Sequence, residues 1–370
     1  MRRLAIVGML MPADCGRRSG PRSRRGSWVT LDAEPSTGGF DTQGTRRVQR
    51  MLFAAAVMLA PPALADPLPS WNNTDAKAAI IEFVESVTDP SSATFVPEDD
   101  RIAVFDNDGT LWSEQPLYFQ LLYALDVLRE KAAADPSILT SDVLKASAEG
   151  DMQGMMAGGM EGLVEIINVS HSGITVEDFE ADAHEWLTTE KHPTSGLAYA
   201  GMIYQPMLEL LSYLRDEDFT TYIVSGGGVD FIRAISEKAY RIPPAQVVGS
   251  EGTTTYEVTD GAPTLMKEGG VSFVDDKAGK PVGIMRHIGQ RPIFAGGNSD
   301  GDFQMLEWTT AGDGPRFGML IHHTDGDREF AYDREGHIGV LNQGLDEAEA
   351  RGWVVVSMKD DWKTIFPGAK

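Results

Sequence analysis

Asp106 and Asp108 stand one residue apart in RIAVFDNDGTLW (residues 101–112), directly after an apolar run. Unpaired carboxylates beside an apolar core are costly, so such a pair has to be solvated, ion-paired or bound to a cation. Two later stretches also end apolar runs in polar groups. YIV leads into Ser225, Gly226, Gly227 and Gly228, and PIFA leads into Gly296-Gly297-Asn298-Ser299-Asp300-Gly301-Asp302. An oxygen-only donor set without Cys or His favours Mg²⁺ over zinc. Glycines let backbone N–H groups approach an anion closely, and a helix start just beyond favours negative charge. Together these groups describe a phosphoryl site. One carboxylate attacks phosphorus to form an acyl phosphate. The second protonates the leaving oxygen and later activates water.

Such groups need rigid elements behind them. RIAVF reads as a short buried strand of a parallel sheet. TDAKAAIIEFVESVT (74–88) has helical spacing at Ala76, Ile80, Phe83, Val84 and Val87, with Asn73 or Thr74 as the cap. Residues 115–204 are mostly helical in pattern, including a Thr175-x-x-Asp178 cap before DFEADAHEWLTTE. Within them, GDMQGMMAGGMEGLVEII is rich in Met and Gly, which reads as core filler or as an adaptable lid. Helices and strands then alternate to the C-terminus, with a β-hairpin over residues 247–265 that turns at Asp260-Gly261. This alternation predicts an α/β fold with a doubly wound, Rossmann-like parallel sheet. In such sheets, sites form beyond the carboxyl ends of the strands, so the three polar loops converge.

The chain has 370 residues, is 42% apolar and carries a formal net charge of −23, enough for one large domain or two smaller ones. That acidity makes it a poor partner for nucleic acid. Residues 1–65 differ from the rest. They hold ten Arg and no Lys, and the remainder carries 22 basic against 51 acidic residues. RRVQRMLFAAAVMLAPPALADP reads as a secretory signal cut after Ala65, with an apolar run too short to span a bilayer. This predicts a periplasmic or secreted mature protein starting at Asp66, with no stable membrane insertion after cleavage. Residues 1–45 read as a disordered extension produced by a start codon assigned too early. Cys15, the only cysteine, lies there, so the mature chain is expected to have no disulfide, thiolate ligand or cysteine nucleophile.

Taken in order, the motifs from Ile102 to about Leu306 resemble those of the haloacid dehalogenase superfamily, specifically its phosphatases. DNDGT is similar to the first motif, which implies Asp106 as nucleophile and Asp108 as general acid/base. IVSGGG is similar to the second, implying phosphate contacts from Ser225 and Gly226. GKPVGI is similar to the third, implying Lys280 as the neutralising lysine, with Lys277 as a rival. GGNSDGDFQML is similar to the acidic fourth motif but has Asn298 where an Asp is usual. The implied Mg²⁺ ligands are therefore Asp106, Asp108 through its backbone carbonyl, Asn298, Asp302 and, as a substitute charge, Asp300. The resemblance also implies an inserted helical cap over 114–204, on a core of 66–113 and 205–370, and a small phosphate ester as substrate, in the manner of phosphoserine phosphatases.

Glu114 reads either as a ligand for a substrate ammonium group or as an exposed first-turn acid. His192, Tyr204, His322 and His323 are rim candidates without an assigned role. A calcium loop is excluded, because the sixth position counted from Asp106 is Leu111 rather than Gly. Rival readings are carbon–halogen hydrolysis, which has no need of Asp108, phosphate transfer to an acceptor other than water, and an exported non-enzymatic binding protein, for which only Asn298 speaks. The oligomeric state is not legible.

Overall fold

Among the described residues, eight strands form one sheet. Their bounds are β1 Ile102–Phe105, β2 Ile174–Thr175, β3 Thr220–Gly228, β4 Val247–Thr259, β5 Ala262–Phe273, β6 Phe294–Gly297, β7 Phe317–His322 and β8 Val354–Ser357. Their order is β2-β5-β4-β3-β1-β6-β7-β8. The computed structural model describes residues 65–368. The readings of residues 1–64 as extension and signal, and of Cys15, lie outside the described residues.

β1 is central and pairs in parallel with β3 on one side and β6 on the other. β4, β7 and β8 extend the parallel sheet. All four β1 residues are buried, as expected of a strand covered on both faces. Ala103 and Phe105 pack into a core with Ile223, Phe294 and Phe317. Ile102 and Val104 point the other way, to Val224, Ala295, Phe303 and Leu320. Strand alternation thus divides one sequence run between two cores. The chain leaves β1 for β3 on one side and returns to β6 on the other. This is the switch in strand order where open α/β sheets leave a crevice.

The helix expected at 74–88 runs Asp75–Thr88, and its apolar spacing buries Ile80, Val84 and Val87. Thr74 takes the cap position but makes no side-chain cap bond. The predicted cap at Thr175 forms, accepting from the Asp178 amide at 3.0 Å at the start of the helix Val176–Thr189.

Six α-helices lie between β1 and β3: Phe119–Ala134, Asp142–Glu149, Met152–Ala157, Gly159–His171, Val176–Thr189 and Gln205–Asp216. The methionine-rich stretch divides its roles. Met155 packs with Leu121, Leu125, Leu144 and Ile166, whereas Met152 and Met156 are exposed.

The hairpin is longer than the sequence suggested. β4 runs parallel to β3 as far as Ser250 and then pairs antiparallel with β5. Asp260 and Gly261 both have positive φ, 53° and 82°, as a tight two-residue hairpin turn requires. β5 in turn pairs with the short β2, which ties the hairpin to the helical segment. Lys267 of β5 reaches the same segment, standing 4.5 Å from the centre of the Phe179 ring and bonded to Asp230.

Candidate active site

The first loop is folded by its own backbone. The Asn107 carbonyl accepts from the amides of Thr110, Leu111 and Trp112, and Gly109 N–H donates to the Trp112 carbonyl at 2.9 Å. Gly109 has φ +73°, and a Cβ there would stand 2.1 Å from Asn298 Nδ2 and 2.4 Å from Glu114 Oε1. Only glycine fits. The turn sets Asp106 and Asp108 at the end of β1, and the Trp112 indole donates to Asp108 Oδ1 at 2.9 Å.

The second loop begins where β3 and β4 lose register between Ser225 and Gly228. Such irregularities re-aim a strand end. Ser225 Oγ accepts from Gly227 N–H at 3.1 Å, and Gln120 Oε1 accepts from Gly228 N–H at 2.7 Å.

Lys280 enters from the start of the helix Gly279–His287. Its ammonium is buried and donates to Asp106 Oδ1 at 2.6 Å, Asp302 Oδ1 at 2.6 Å and the Val224 carbonyl at 2.8 Å. Three protons meet three acceptors. Burial works against this charge, but Asp106 and Asp302 outweigh it and raise the pKa. Lys277 is exposed, and only its backbone touches the fourth-motif loop, at Gly301. The geometry therefore selects Lys280.

Asp106, Asp108, Ser225, Gly226, Lys280 and Asp302 line one cavity of about 340 Å³. Two expected metal ligands do not. Asp300 turns away, because its carboxylate accepts from the amides of Asn342, Gln343 and Gly344 and so caps the helix Gln343–Arg351. It cannot supply the charge missing at Asn298. Asn298 lies behind the loop, its Oδ1 accepting from Thr110 Oγ1 at 3.1 Å and its Nδ2 donating to Glu114 Oε1 at 2.8 Å. Asp302 does line the cavity, but its oxygens are committed. Oδ1 holds Lys280, and Oδ2 accepts from the amides of Asn298 and Ser299. Its geometry is that of a clamp on Lys280 and on its own loop, not of a free ligand.

Glu114 is the main surprise. The exposed-acid reading fails, because the side chain is 2% exposed. It also lines the cavity, and its Oε1 accepts from Tyr332 Oη at 2.8 Å as well as from Asn298. Behind it, the ring of His323 stacks on Tyr332 at 4.3 Å between centroids, and its Nε2 donates to the Gly109 carbonyl at 2.8 Å. Glu329 accepts from Ser113 Oγ and Tyr204 Oη. Sequence reasoning missed this support from residues 323–332. Tyr204 and His323 are buried props of the loop, not rim groups. His192 is likewise buried, against the Gln115 carbonyl at 2.8 Å, while His322 is partly exposed and pairs with Asp333.

Four carboxylates thus share the site with one ammonium. Burial and the charge of Asp302 push Asp106 well above the ordinary carboxylate range, against the pull of Lys280. Burial raises Asp108 to about 6, against the Trp112 hydrogen bond. Burial also raises Glu114, against the bond from Tyr332. This surplus of buried negative oxygen is what a hard divalent cation fits. Among the described residues, no three His, Cys, Asp or Glu side chains close into a metal cage. Mg²⁺ does not need one, since it binds through one or two carboxylates, waters and the substrate's phosphate.

A family model described as HAD, haloacid dehalogenase-like hydrolase, matches residues 103–307, more than half of the chain. No curated protein matches. Among solved structures, a conserved protein of unknown function from Anaerococcus prevotii is similar at 14% identity and TM-score 0.47, over 70% of this chain and 89% of that one. A protein of unknown function from Bordetella pertussis is similar at 17% identity and TM-score 0.44, over 69% and 97%. A phosphoserine phosphohydrolase-like protein from Francisella tularensis is similar at 16% identity and TM-score 0.32, over 60% and 87%. The motif order, the parallel sheet and the family match agree: this chain is an enzyme of the haloacid dehalogenase-like hydrolase family.

Proposed function

We propose that the protein hydrolyses small organic phosphate monoesters through an aspartyl-phosphate formed on Asp106. The observation that carries this reading is the convergence of Asp106, Asp108, Ser225 and Lys280 on one cavity, with Lys280 Nζ 2.6 Å from Asp106.

A carboxylate oxygen of Asp106 attacks phosphorus, and the bond from phosphorus to the leaving oxygen breaks. Asp108 gives its proton to that oxygen. Burial holds Asp108 near 6, where it can both give and regain a proton close to neutrality. In the second half, Asp108 takes a proton from water, the water oxygen attacks phosphorus, and Asp106 and inorganic phosphate are released. Lys280 neutralises charge as it builds on the phosphoryl oxygens, and Ser225 Oγ–H and the Gly226 backbone orient them.

The Asp106 carboxylate and the Asp108 backbone carbonyl would hold Mg²⁺, with Asn298 behind them. When bound, that ion supplies Lewis-acid stabilisation of the phosphoryl oxygens and lowers the pKa of Asp106. The helical segment 114–204, with the hairpin tied to it, serves as the cap that covers the leaving group and excludes water. The signal-like pattern at 46–65 supports export, and N-terminal sequencing of secreted protein tests it: a chain beginning at Asp66 supports the reading, and one retaining residues 1–45 removes it.

The catalytic proposal is tested with phosphate esters and excess Mg²⁺. Asp106→Asn is expected to lower kcat by at least about 10³-fold. Wild-type rates from that variant would refute the assignment. Asp108→Asn is expected to slow both formation and breakdown of the intermediate. An unchanged rate would contradict the acid/base role of Asp108, and halide release without added metal would instead favour carbon–halogen hydrolysis.

A further inference from the structure

The cavity above Asp106 has a charge balance that restricts the alcohol of the ester. Its upper walls are largely apolar and include Leu121, Leu163, Ile167, Phe179 and Val271. Among the described residues, its cationic side chains are Lys280 and Lys267. Both are taken. The three protons of Lys280 are used on Asp106, Asp302 and Val224. Lys267 is bonded to Asp230 and covers the ring of Phe179. His171 is buried and adds no charge, because its Nε2 accepts from the Gln120 amide at 3.1 Å and its Nδ1 faces Ser170 Oγ at 2.7 Å. By contrast Glu251, Glu268 and Asp276 line the same cavity and are at least partly exposed.

An anion on the alcohol would therefore enter a pocket with no free cation and several carboxylates. It would lose its hydration and find no partner. We propose that the enzyme takes monoesters of apolar alcohols that bear no anionic group, and that it discriminates against esters carrying a carboxylate or a second phosphate. This rests on the phosphatase reading and narrows it. It also places phosphoserine among the poor substrates, although the motifs resemble those of phosphoserine phosphatases.

The cleanest comparison is O-phosphoserine against O-phosphoethanolamine, which differ only in one carboxylate, with 2-phenylethyl phosphate as the apolar neutral ester. With excess Mg²⁺, kcat/KM for phosphoethanolamine is expected to exceed that for phosphoserine by at least about tenfold, and 2-phenylethyl phosphate is expected to have the lowest KM. Glu268→Arg, at an exposed hairpin position, is expected to improve kcat/KM for phosphoserine selectively by several-fold. Leu163→Arg, checked for folding by its thermal midpoint, is expected to do the same from the opposite wall. Phosphoserine turned over as well as phosphoethanolamine by the wild type would overturn the inference and leave the phosphatase reading intact. No selective gain in either folded variant would likewise overturn it. Turnover of none of the three esters would remove both readings together.

Discussion

Asp275 shows how burial can dominate a titration in this protein. Its carboxylate is buried with neither oxygen hydrogen-bonded, and a Cβ on Gly283 would stand 2.2 Å from Oδ1. Burial raises its pKa from 3.8 to about 7, against the pull of Lys280. Below pH 3.8 the acid is protonated whether the chain is folded or not. Between 3.8 and 7 it is protonated only when folded, so stability falls as pH rises through this window. The full effect is of order 4 kcal/mol. Asp275→Asn is therefore expected to raise the thermal midpoint at pH 8 and to leave it nearly unchanged near pH 4. Equal shifts at both pH values would contradict this origin. At Asn298, substitution by Asp sets a second carboxylate against Glu114 in the same buried space. Without Mg²⁺ the Asn298→Asp variant is expected to melt several degrees below the wild type, and Mg²⁺ is expected to recover more of its midpoint than it adds to the wild type. Melts with and without the ion check both parts.

The strands and loops explain which of these features were legible in the sequence. β1, β3 and β6 each announce themselves as an apolar run ending in Gly, Ser or Asp, and the alternation of helices with strands signals that they run parallel. Asp106, Asp108 and Ser225 could therefore be brought together before any geometry, whereas Lys280 is named only by the resemblance and with Lys277 as a rival. Asp300 could not be placed correctly, because its role depends on the helix Gln343–Arg351, which carries no motif and takes up its carboxylate. Glu114 looked like an exposed helix-start acid, yet the residues that bury it, Tyr332 and Asn298, lie 218 and 184 positions away. Nothing local signals such partners. The hairpin gives a prediction of its own. Lys267 and Asp230 are nearly buried and join β5 to the helix Val229–Tyr240. Lys267→Met leaves Asp230 without that partner and is expected to cost roughly 3 kcal/mol. Denaturant unfolding checks this, and an unchanged midpoint would contradict it.

Taken as a whole, the molecule sets a strongly acidic chain around a site rich in carboxyl groups. Under the proposed function, a cation that binds the folded state alone would raise stability by mass action. Mg²⁺ is expected to raise the thermal midpoint of the wild type, and to do so much less for Asp106→Asn. The match to a hydrolase family and the intact set of Asp106, Asp108, Ser225 and Lys280 leave the binding-protein reading resting on Asn298 alone. The decisive experiment is to quench the enzyme in acid during turnover of a phosphate ester, digest it and locate the phosphoryl group by mass spectrometry. It should lie on the peptide that contains Asp106 and accumulate in Asp108→Asn. Turnover with that peptide unmodified, or with the phosphoryl group on Ser225 instead, would show that Asp106 is not the nucleophile.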